Sequence, residues 1–174
     1  MTIKIIPYSD IHNNKLVDLL ANNKWIFHSN PIIAKKEILE KIENGFYIKN
    51  ETQSFLIFDS SKKLIGYYRI FDLGEDKNSD ETPLFDLRIA QDFRNKGVGR
   101  NAVSAMCDFV FTEYPNKNRF EATTRFDNFA MIKVLESCGF EKEAHYRQAW
   151  KTKEGKKVDC FGFAILKQDW ESKS

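Results

Sequence analysis

Hydrophobic and polar positions along the chain predict a mixed series of strands and helices. Alternating or short apolar runs predict seven strands, at 2–7, 54–58, 64–71, 83–90, 120–124, 140–151 and 158–167. A period near 3.6 predicts four helices: one capped by Ser9 or Asp10, one from Pro31 to Gly45, and two over 97–112 and 128–138. Strands dominate early, and strands and helices alternate late. This order indicates one mixed α/β domain spanning 1–174.

Composition narrows the functional classes. The chain has 174 residues, is 42% hydrophobic and has a formal net charge of +2. This charge gives no electrostatic argument for nucleic acid as a partner. No apolar run approaches the length of a membrane span, and no secretory signal is visible at the start, so we expect a cytoplasmic protein without a membrane partner. Three widely spaced cysteines suggest reduced thiols, and we expect no metal site.

The segment from Phe85 to Ala102 carries the clearest chemical signal. An apolar strand leads into a basic turn, Arg94-x-x-Gly97-x-Gly99, and then into an amphipathic helix. A helix N-terminus presents unpaired N–H groups and the positive end of its dipole, which together favour anions. Lys96 and Arg100 add positive charge. The pattern therefore predicts a diphosphate site.

The residues of this turn also fit, in part, three other kinds of structure. A nucleotide-binding P-loop is excluded because its spacing and its Lys-Ser/Thr ending are missing. A dinucleotide fingerprint fits Gly97-x-Gly99-x-x-Ala102 formally, with Glu121 downstream as the ribose-binding acid. Residues 91–96 separate this turn from its strand, however, and little sequence follows for a second nucleotide-binding half. Glycines that serve only to start and stop helices are the remaining structural alternative.

Together with a second block, the turn resembles the GNAT superfamily of N-acetyltransferases. Asn128 opens a helix that ends in Gly139-Phe140, and Tyr146, Trp150 and Asp169-Trp170 follow the closing pattern of the ribosomal-protein-alanine N-acetyltransferase branch. The resemblance implies a GNAT-like fold, with a central, mostly antiparallel seven-stranded sheet splayed at the cofactor strand and flanked by about four helices. Residues 1–82 would form the acceptor side and 83–170 the acetyl-CoA side.

The same resemblance implies acetyl-CoA as cosubstrate. The backbone of Leu87 and Ile89 would pair with the pantetheine arm, and Asn128 would bond that arm or a nearby water. The pyrophosphate would be wrapped by Arg94, Asn95, Lys96, Gly97, Val98, Gly99 and Arg100.

Transfer to an amine needs a proton acceptor and a way to stabilise the leaving thiolate. Asp86 and Glu121 are the candidate bases. We favour Glu121 because apolar neighbours on its strand would raise its pKa, although a structural ion pair or deprotonation through water also fits. Many members of the family carry a tyrosine as general acid where this chain has Leu135. Tyr146 is a candidate acid only by elimination, and so is Cys138.

The predicted function is transfer of an acetyl group to a primary amine in a ternary complex. The acceptor would be a protein N-terminus or a small amine such as a polyamine or an aminoglycoside. A non-catalytic module that senses acyl-CoA is the alternative, supported by Leu135 at the tyrosine position. A homodimer is compatible with the resemblance, and the sequence does not decide this point.

Overall fold

The computed structural model describes residues 1–49, 51–77 and 79–172. In this part of the chain the strands are β1 (Ile3–Pro7), β2 (Gln53–Asp59), β3 (Leu64–Phe71), β4 (Leu84–Ile89), β5 (Arg119–Arg125), β6 (Glu141–Lys151) and β7 (Lys157–Leu166). The helices are α1 (Asn13–Ala21), α2 (Lys35–Glu43), α3 (Val98–Glu113), α4 (Phe129–Cys138) and α5 (Lys167–Glu171), with short 3-10 turns at Asp10–His12 and Gln91–Phe93.

The strands form two antiparallel groups that meet at one place. One group has the order β1-β2-β3-β4 and the other has the order β5-β7-β6. Between β4 and β5, a backbone bond runs from the Glu121 N–H to the Pro83 carbonyl over 3.0 Å, at the start of both strands. No further β4–β5 ladder is present among the described residues. The mixed α/β fold, the antiparallel pairing and the splay at β4 are confirmed.

Helices cover both faces of the four-stranded sheet, and each face has its own core. On one face α3 packs its buried side against the sheet and against Phe120, Leu135 and Phe140. On the other face α1 and α2 bury Trp25 and Tyr67 between themselves and the sheet. Full burial of a large apolar side chain contributes about 1.5–3 kcal/mol. Strands β2 and β3 are therefore packed on both faces and paired along both edges. Strand β4 is paired along one edge only, that toward β3.

Two helices differ from the sequence prediction. The second begins at Lys35 and not at Pro31, because the Pro31 carbonyl accepts the Trp25 N–H at 2.8 Å and this turn is used to bury Trp25. Helix α5 was not predicted, since five residues are too few to show a period. It is held by Trp170, whose ring lies 5.4 Å from that of Phe111 and whose indole N–H donates to Asp108.

The acidic segment between β3 and β4 is tied to the fold by a buried lysine. Lys117 follows α3 and is 2% exposed. Its ammonium donates to the Ser79 carbonyl at 2.7 Å and lies 3.6 Å from the Glu81 carboxylate. Leu73 is also buried, at 2% exposure. The loop is thus fixed just before it enters β4.

We predict that Lys117→Met will destabilise the protein. Methionine keeps the length and packing of the stem but leaves the Ser79 carbonyl without its charged donor, a loss of about 1.5–3 kcal/mol. Urea unfolding measures the change. The matched control is Lys36→Met, at an exposed lysine in α2, which should stay within about 0.5 kcal/mol of the parent. Equal midpoints for the two variants would contradict a structural role for Lys117.

Candidate active site

A cleft of about 420 Å³ opens where β4 and β5 part. Its walls come from both strands, from α4 and from the loop after α1. The lining residues that carry charged or polar side chains are His28, Ser29, Asn30, Arg69, Asp86, Arg88, Thr123, Thr124, Asn128 and Trp150. The cleft therefore joins the two halves that the sequence assigned to acceptor and coenzyme.

The free edge of β4 presents backbone groups to this cleft. In an antiparallel pair, alternate residues turn their N–H and C=O groups toward the partner strand. The N–H of Ala90 donates to Ile65 of β3 at 2.8 Å, so Leu87 and Ile89 turn theirs away from β3. This direction is the one that pairing with an extended pantetheine arm requires. The Ile89 carbonyl is already used, because it accepts the Arg94 Nε–H at 2.9 Å.

The basic turn has the backbone of an anion cradle. Asn95 and Gly97 both have left-handed conformations, with φ of 57° and 80°, and Gly97 caps α3. The first helical backbone bond runs from the Asn101 N–H to the Gly97 carbonyl at 3.1 Å. The amides of Val98, Gly99 and Arg100 thus emerge unused from the helix start. The side chains of Lys96 and Arg100 are exposed beside them.

Arg94 differs from the other residues assigned to the cradle. Its guanidinium turns back toward the loop after α1, where it donates to the Lys24 carbonyl at 2.7 Å as well as to Ile89. Its guanidinium carbon lies 5.7 Å from the Trp25 ring centre. Arg94 therefore ties the end of β4 to the loop after α1, whereas the side chains of Lys96 and Arg100 are exposed beside the start of α3.

The two glycines of the turn have different roles. Gly97 needs its left-handed φ, and an added Cβ there would meet nothing within 4 Å. An added Cβ at Gly99 would lie 3.4 Å from Val134 of α4 and 3.5 Å from Ile89, which is ordinary contact distance. Gly99 therefore has room for a methyl group, whereas the conformation of the turn requires glycine at position 97.

Asn128 lies in the cleft wall and caps α4. Its side-chain oxygen accepts the Met131 N–H at 3.4 Å, and its amide nitrogen donates to the Thr124 hydroxyl at 3.0 Å. These bonds fix the junction between β5 and α4. If Asn128 also contacts the pantetheine arm, as predicted, the same side chain holds the junction and binds the coenzyme.

Glu121, the favoured base, is placed differently from the expectation. Its carboxylate accepts the Arg119 Nε–H, and Arg119 also pairs with Glu143 on β6. The side chain is 35% exposed and is not among the cleft-lining residues. The expected apolar surroundings are absent because Phe120 and Ala122 point to the opposite face of β5, into the core. The structure therefore does not support Glu121 as the base.

Asp86 lies in the cleft and has two partners. The ring of His28 donates from Nε2 at 2.9 Å, and Arg88 donates from Nε at 3.1 Å. Burial acts to raise the pKa of Asp86, but the His28 hydrogen bond and the Arg88 charge together hold it well below its usual range. Asp86 is thus an ionised carboxylate on the acceptor face of β4.

His28 is a candidate for the site that its sequence neighbours do not indicate, because its partner is distant in the chain. The loop after α1 brings it to Asp86, 58 positions away in sequence. Because an ionised carboxylate only accepts hydrogen bonds, Nε2 of His28 carries the proton. The other ring nitrogen, Nδ1, is buried without a partner among the described residues. The ring therefore fixes the position of the Asp86 carboxylate.

The candidates for a general acid lie outside the cleft. Tyr146 is 49% exposed on β6, where it packs over Gly162. The Cys138 thiol lies 3.6 Å from the Arg100 carbonyl. Leu135, at the position of the usual tyrosine, is fully buried and lines the cleft. None of the lining residues in the described part of the chain supplies a phenol or a thiol.

The described residues contain no group of three or more His, Cys, Asp or Glu side chains placed to hold a metal ion. They also contain no helix long and apolar enough to cross a membrane.

Comparison with known proteins agrees with this geometry. A family profile described as "Acetyltransferase (GNAT) domain" matches residues 8–141. A spermidine N(1)-acetyltransferase from Vibrio cholerae is 27% identical over 148 residues, which cover 83% of this chain and 81% of that protein. An uncharacterized N-acetyltransferase, p20, from Bacillus licheniformis is 37% identical over 75 residues, or 43% of this chain and 41% of that one.

The fold has a close counterpart among solved structures. A crystal structure of spermidine N-acetyltransferase from Vibrio cholerae, in complex with CoA and spermine, superimposes with a TM-score of 0.79. The match covers 97% of this chain and 98% of that chain at 21% identity. At this identity the likeness shows the fold, and it does not by itself carry over the ligands.

We predict that alanine will affect the two turn glycines differently. Gly97→Ala places a Cβ on a left-handed residue, which costs roughly 1 kcal/mol or more and distorts the turn. We expect its acetyl-CoA affinity, measured by calorimetry, to fall about fivefold or more. In the matched control, Gly99→Ala, the new methyl group fits between Val134 and Ile89, and we expect the affinity to stay within about twofold. The reverse order would contradict the roles given to these glycines.

Proposed function

The chain belongs to the GNAT acetyltransferase family, and from this premise we propose that it transfers the acetyl group directly to a primary amine bound beside β4. It is an N-acetyltransferase that uses acetyl-CoA. The observation that carries the finer proposal is the cleft between β4 and β5, which is lined by the ionised Asp86 and by Leu87 on the free edge of β4. The acetyl end of the coenzyme and the amine would meet there.

The coenzyme would lie along the free edge of β4. The amides at the start of α3, with Lys96 and Arg100, would bind the pyrophosphate. The outward N–H and C=O groups of Leu87 and the outward N–H of Ile89 would pair with the pantetheine arm. A backbone N–H in this stretch would then face the thioester oxygen, where negative charge develops during attack.

The positions of the cysteines support direct transfer. Cys107 and Cys160 are buried, the Cys138 thiol lies 3.6 Å from the Arg100 carbonyl, and no cysteine lines the described part of the cleft. An acetyl-enzyme intermediate on sulfur would need a cysteine there. Holding both reactants in line replaces covalent catalysis with proximity, which supplies several kcal/mol of the barrier reduction when the geometry is right.

Asp86 is the group that would receive the amine. As a carboxylate with a lowered pKa it is a weak proton acceptor, so its contribution is to attract the ammonium and orient the nitrogen. The proton would leave through water in the open cleft. The leaving thiolate, whose solution pKa is about 8.5, is stable enough to depart without a tyrosine at the Leu135 position.

The comparisons bear on the identity of the acceptor. The relatives include a spermidine N(1)-acetyltransferase, which favours a small amine over a protein N-terminus. An aminoglycoside is a further small-amine candidate. An assay of CoA release with amines, aminoglycosides and N-terminal peptides, in protein shown to bind acetyl-CoA, tests the proposal. Binding without turnover of any acceptor would instead support the acyl-CoA sensor suggested by Leu135.

We predict an initial-rate pattern of intersecting lines when acetyl-CoA and the amine are varied together, because both must be bound before transfer. Mass spectrometry of the protein incubated with acetyl-CoA alone should show no acetylated residue. Parallel lines together with a stable acetyl-enzyme would contradict direct transfer.

We predict that Asp86→Asn will lower kcat/KM for the amine about tenfold or more, since it removes the charge that attracts the ammonium. The affinity for acetyl-CoA should not change. The matched comparison is Glu121→Gln, which removes an equal charge outside the cleft and should stay within about threefold of the parent enzyme. A larger effect at Glu121 than at Asp86, in folded variants, would restore Glu121 as the base.

A further inference from the structure

The acceptor face of the cleft carries a second charged side chain directly beside Asp86. Arg69 on β3 is the register partner of Asp86 on β4, and Tyr67 is the partner of Arg88. Directly opposed residues in an antiparallel pair project on the same face, with their Cβ atoms about 4.5–5.5 Å apart. Arg69, Asp86 and Arg88 therefore share one patch of the sheet, under the loop that carries His28.

Arg69 is held in place without a carboxylate. Its guanidinium carbon lies 4.0 Å from the ring centre of Phe46 and 4.4 Å from that of Phe71, so the group is clamped between two aromatic rings. Its Nε is buried without a hydrogen-bond partner, and no acidic side chain of the described chain pairs with Arg69. The two aromatic rings fix the position of the Arg69 guanidinium, and no ion pair within the described chain neutralises its charge.

Arg88 is only partly satisfied. Its Nε donates to Asp86, its guanidinium carbon lies 5.4 Å from the Trp25 ring centre, and its side chain is 14% exposed. Its Nη1 is buried without a partner among the described residues. A buried N–H of a charged group costs free energy until an acceptor reaches it.

Among the described lining residues, the fully charged side chains are these two arginines and Asp86. The patch therefore has a formal surplus of one positive charge. We infer that the acceptor is a small amine that also carries an anionic group, a carboxylate or a phosphate, bound by Arg69 and Arg88 while its amine faces Asp86. This inference rests on the proposed function and specifies the acceptor of the same site.

A polyamine is a poor match for this patch. Each further ammonium would enter a cleft where one carboxylate, already bonded to His28 and Arg88, faces two arginines. Like charges brought together in a partly desolvated site repel. Among the described lining residues Asp86 is the one acidic side chain, whereas a polycation needs a carboxylate for each ammonium. Size also favours a small acceptor, since the same cleft of about 420 Å³ must hold the acetyl end of the coenzyme.

The test compares amines that differ by the anionic group. The pairs are 4-aminobutyrate with butylamine, ornithine with 1,4-diaminobutane, and O-phosphoethanolamine with ethanolamine; spermidine and an N-terminal peptide complete the panel. CoA release gives kcat/KM for each at saturating acetyl-CoA. We expect the anionic member of at least one pair to exceed its partner, and spermidine, about tenfold or more. The carboxylate and phosphate pairs identify which anion is preferred.

A variant shows whether Arg69 is responsible. Arg69→Gln should lower kcat/KM for the preferred anionic amine about ten- to hundredfold, and the value for the counterpart that lacks the anionic group should stay within about twofold. Arg69→Lys, which keeps the charge, should recover part of the loss. Lys36→Gln, at an exposed lysine in α2, is the matched control and should change neither value. Thermal melting of each variant shows that it is folded.

Several results would overturn the inference. Equal or better use of spermidine, butylamine and 1,4-diaminobutane would show that the anion is not recognised, while the proposed function would stand. Acetylation confined to the peptide N-terminus would have the same meaning. A rise in the KM for acetyl-CoA in Arg69→Gln, with unchanged selectivity among amines, would place Arg69 on the coenzyme. No turnover of any amine by protein that binds acetyl-CoA would overturn the proposed function, and the inference with it.

Discussion

The single backbone bond between Glu121 and Pro83 is the constraint on which the site depends. It holds β4 and β5 together at their first residues and leaves them free to diverge beyond it. This divergence produces the cleft and frees the outer edge of β4. The start of α3 lies beyond the last residue of β4, at the end away from the bond. The shared core, in which Phe85 packs against Phe120 and Phe140, also holds the two groups of strands together. With a full ladder there would be no room for a substrate.

The alternation of side chains along β4 then separates structure from chemistry. Phe85, Leu87 and Ile89 face the core beneath α3 and anchor the strand. Asp86 and Arg88 face the opposite side, where α1, α2 and the loop between them form a wall. Because the backbone edge of the same strand is also free, one short segment would serve the proposed coenzyme site with its main chain and the proposed acceptor site with its side chains. The core packing is what keeps the charged groups in register.

Much of this arrangement could be predicted from the sequence, because it depends on local pattern. The strand, turn and helix around Gly97 follow from apolar periodicity and from the need for a left-handed residue. The side-chain roles could not be predicted so well, because they depend on neighbours distant in sequence. Arg94 is drawn to the Lys24 carbonyl, Glu121 is bound by Arg119, and His28 meets Asp86 only after α1 and its loop have folded over the sheet. The sequence shows which positions carry charged side chains, but it does not show which group each of these side chains contacts.

The free edge of β4 also bears on the association and the folding stability of the protein. An unpaired strand edge is a template for association with other chains. A pantetheine arm lying along that edge would occupy it as an added strand does, and any ligand that binds only the folded state shifts the folding equilibrium toward that state. The cosubstrate would then also act as a structural component. The abundance of folded protein would follow the cellular supply of coenzyme, so that metabolic state and protein turnover would be linked through one strand.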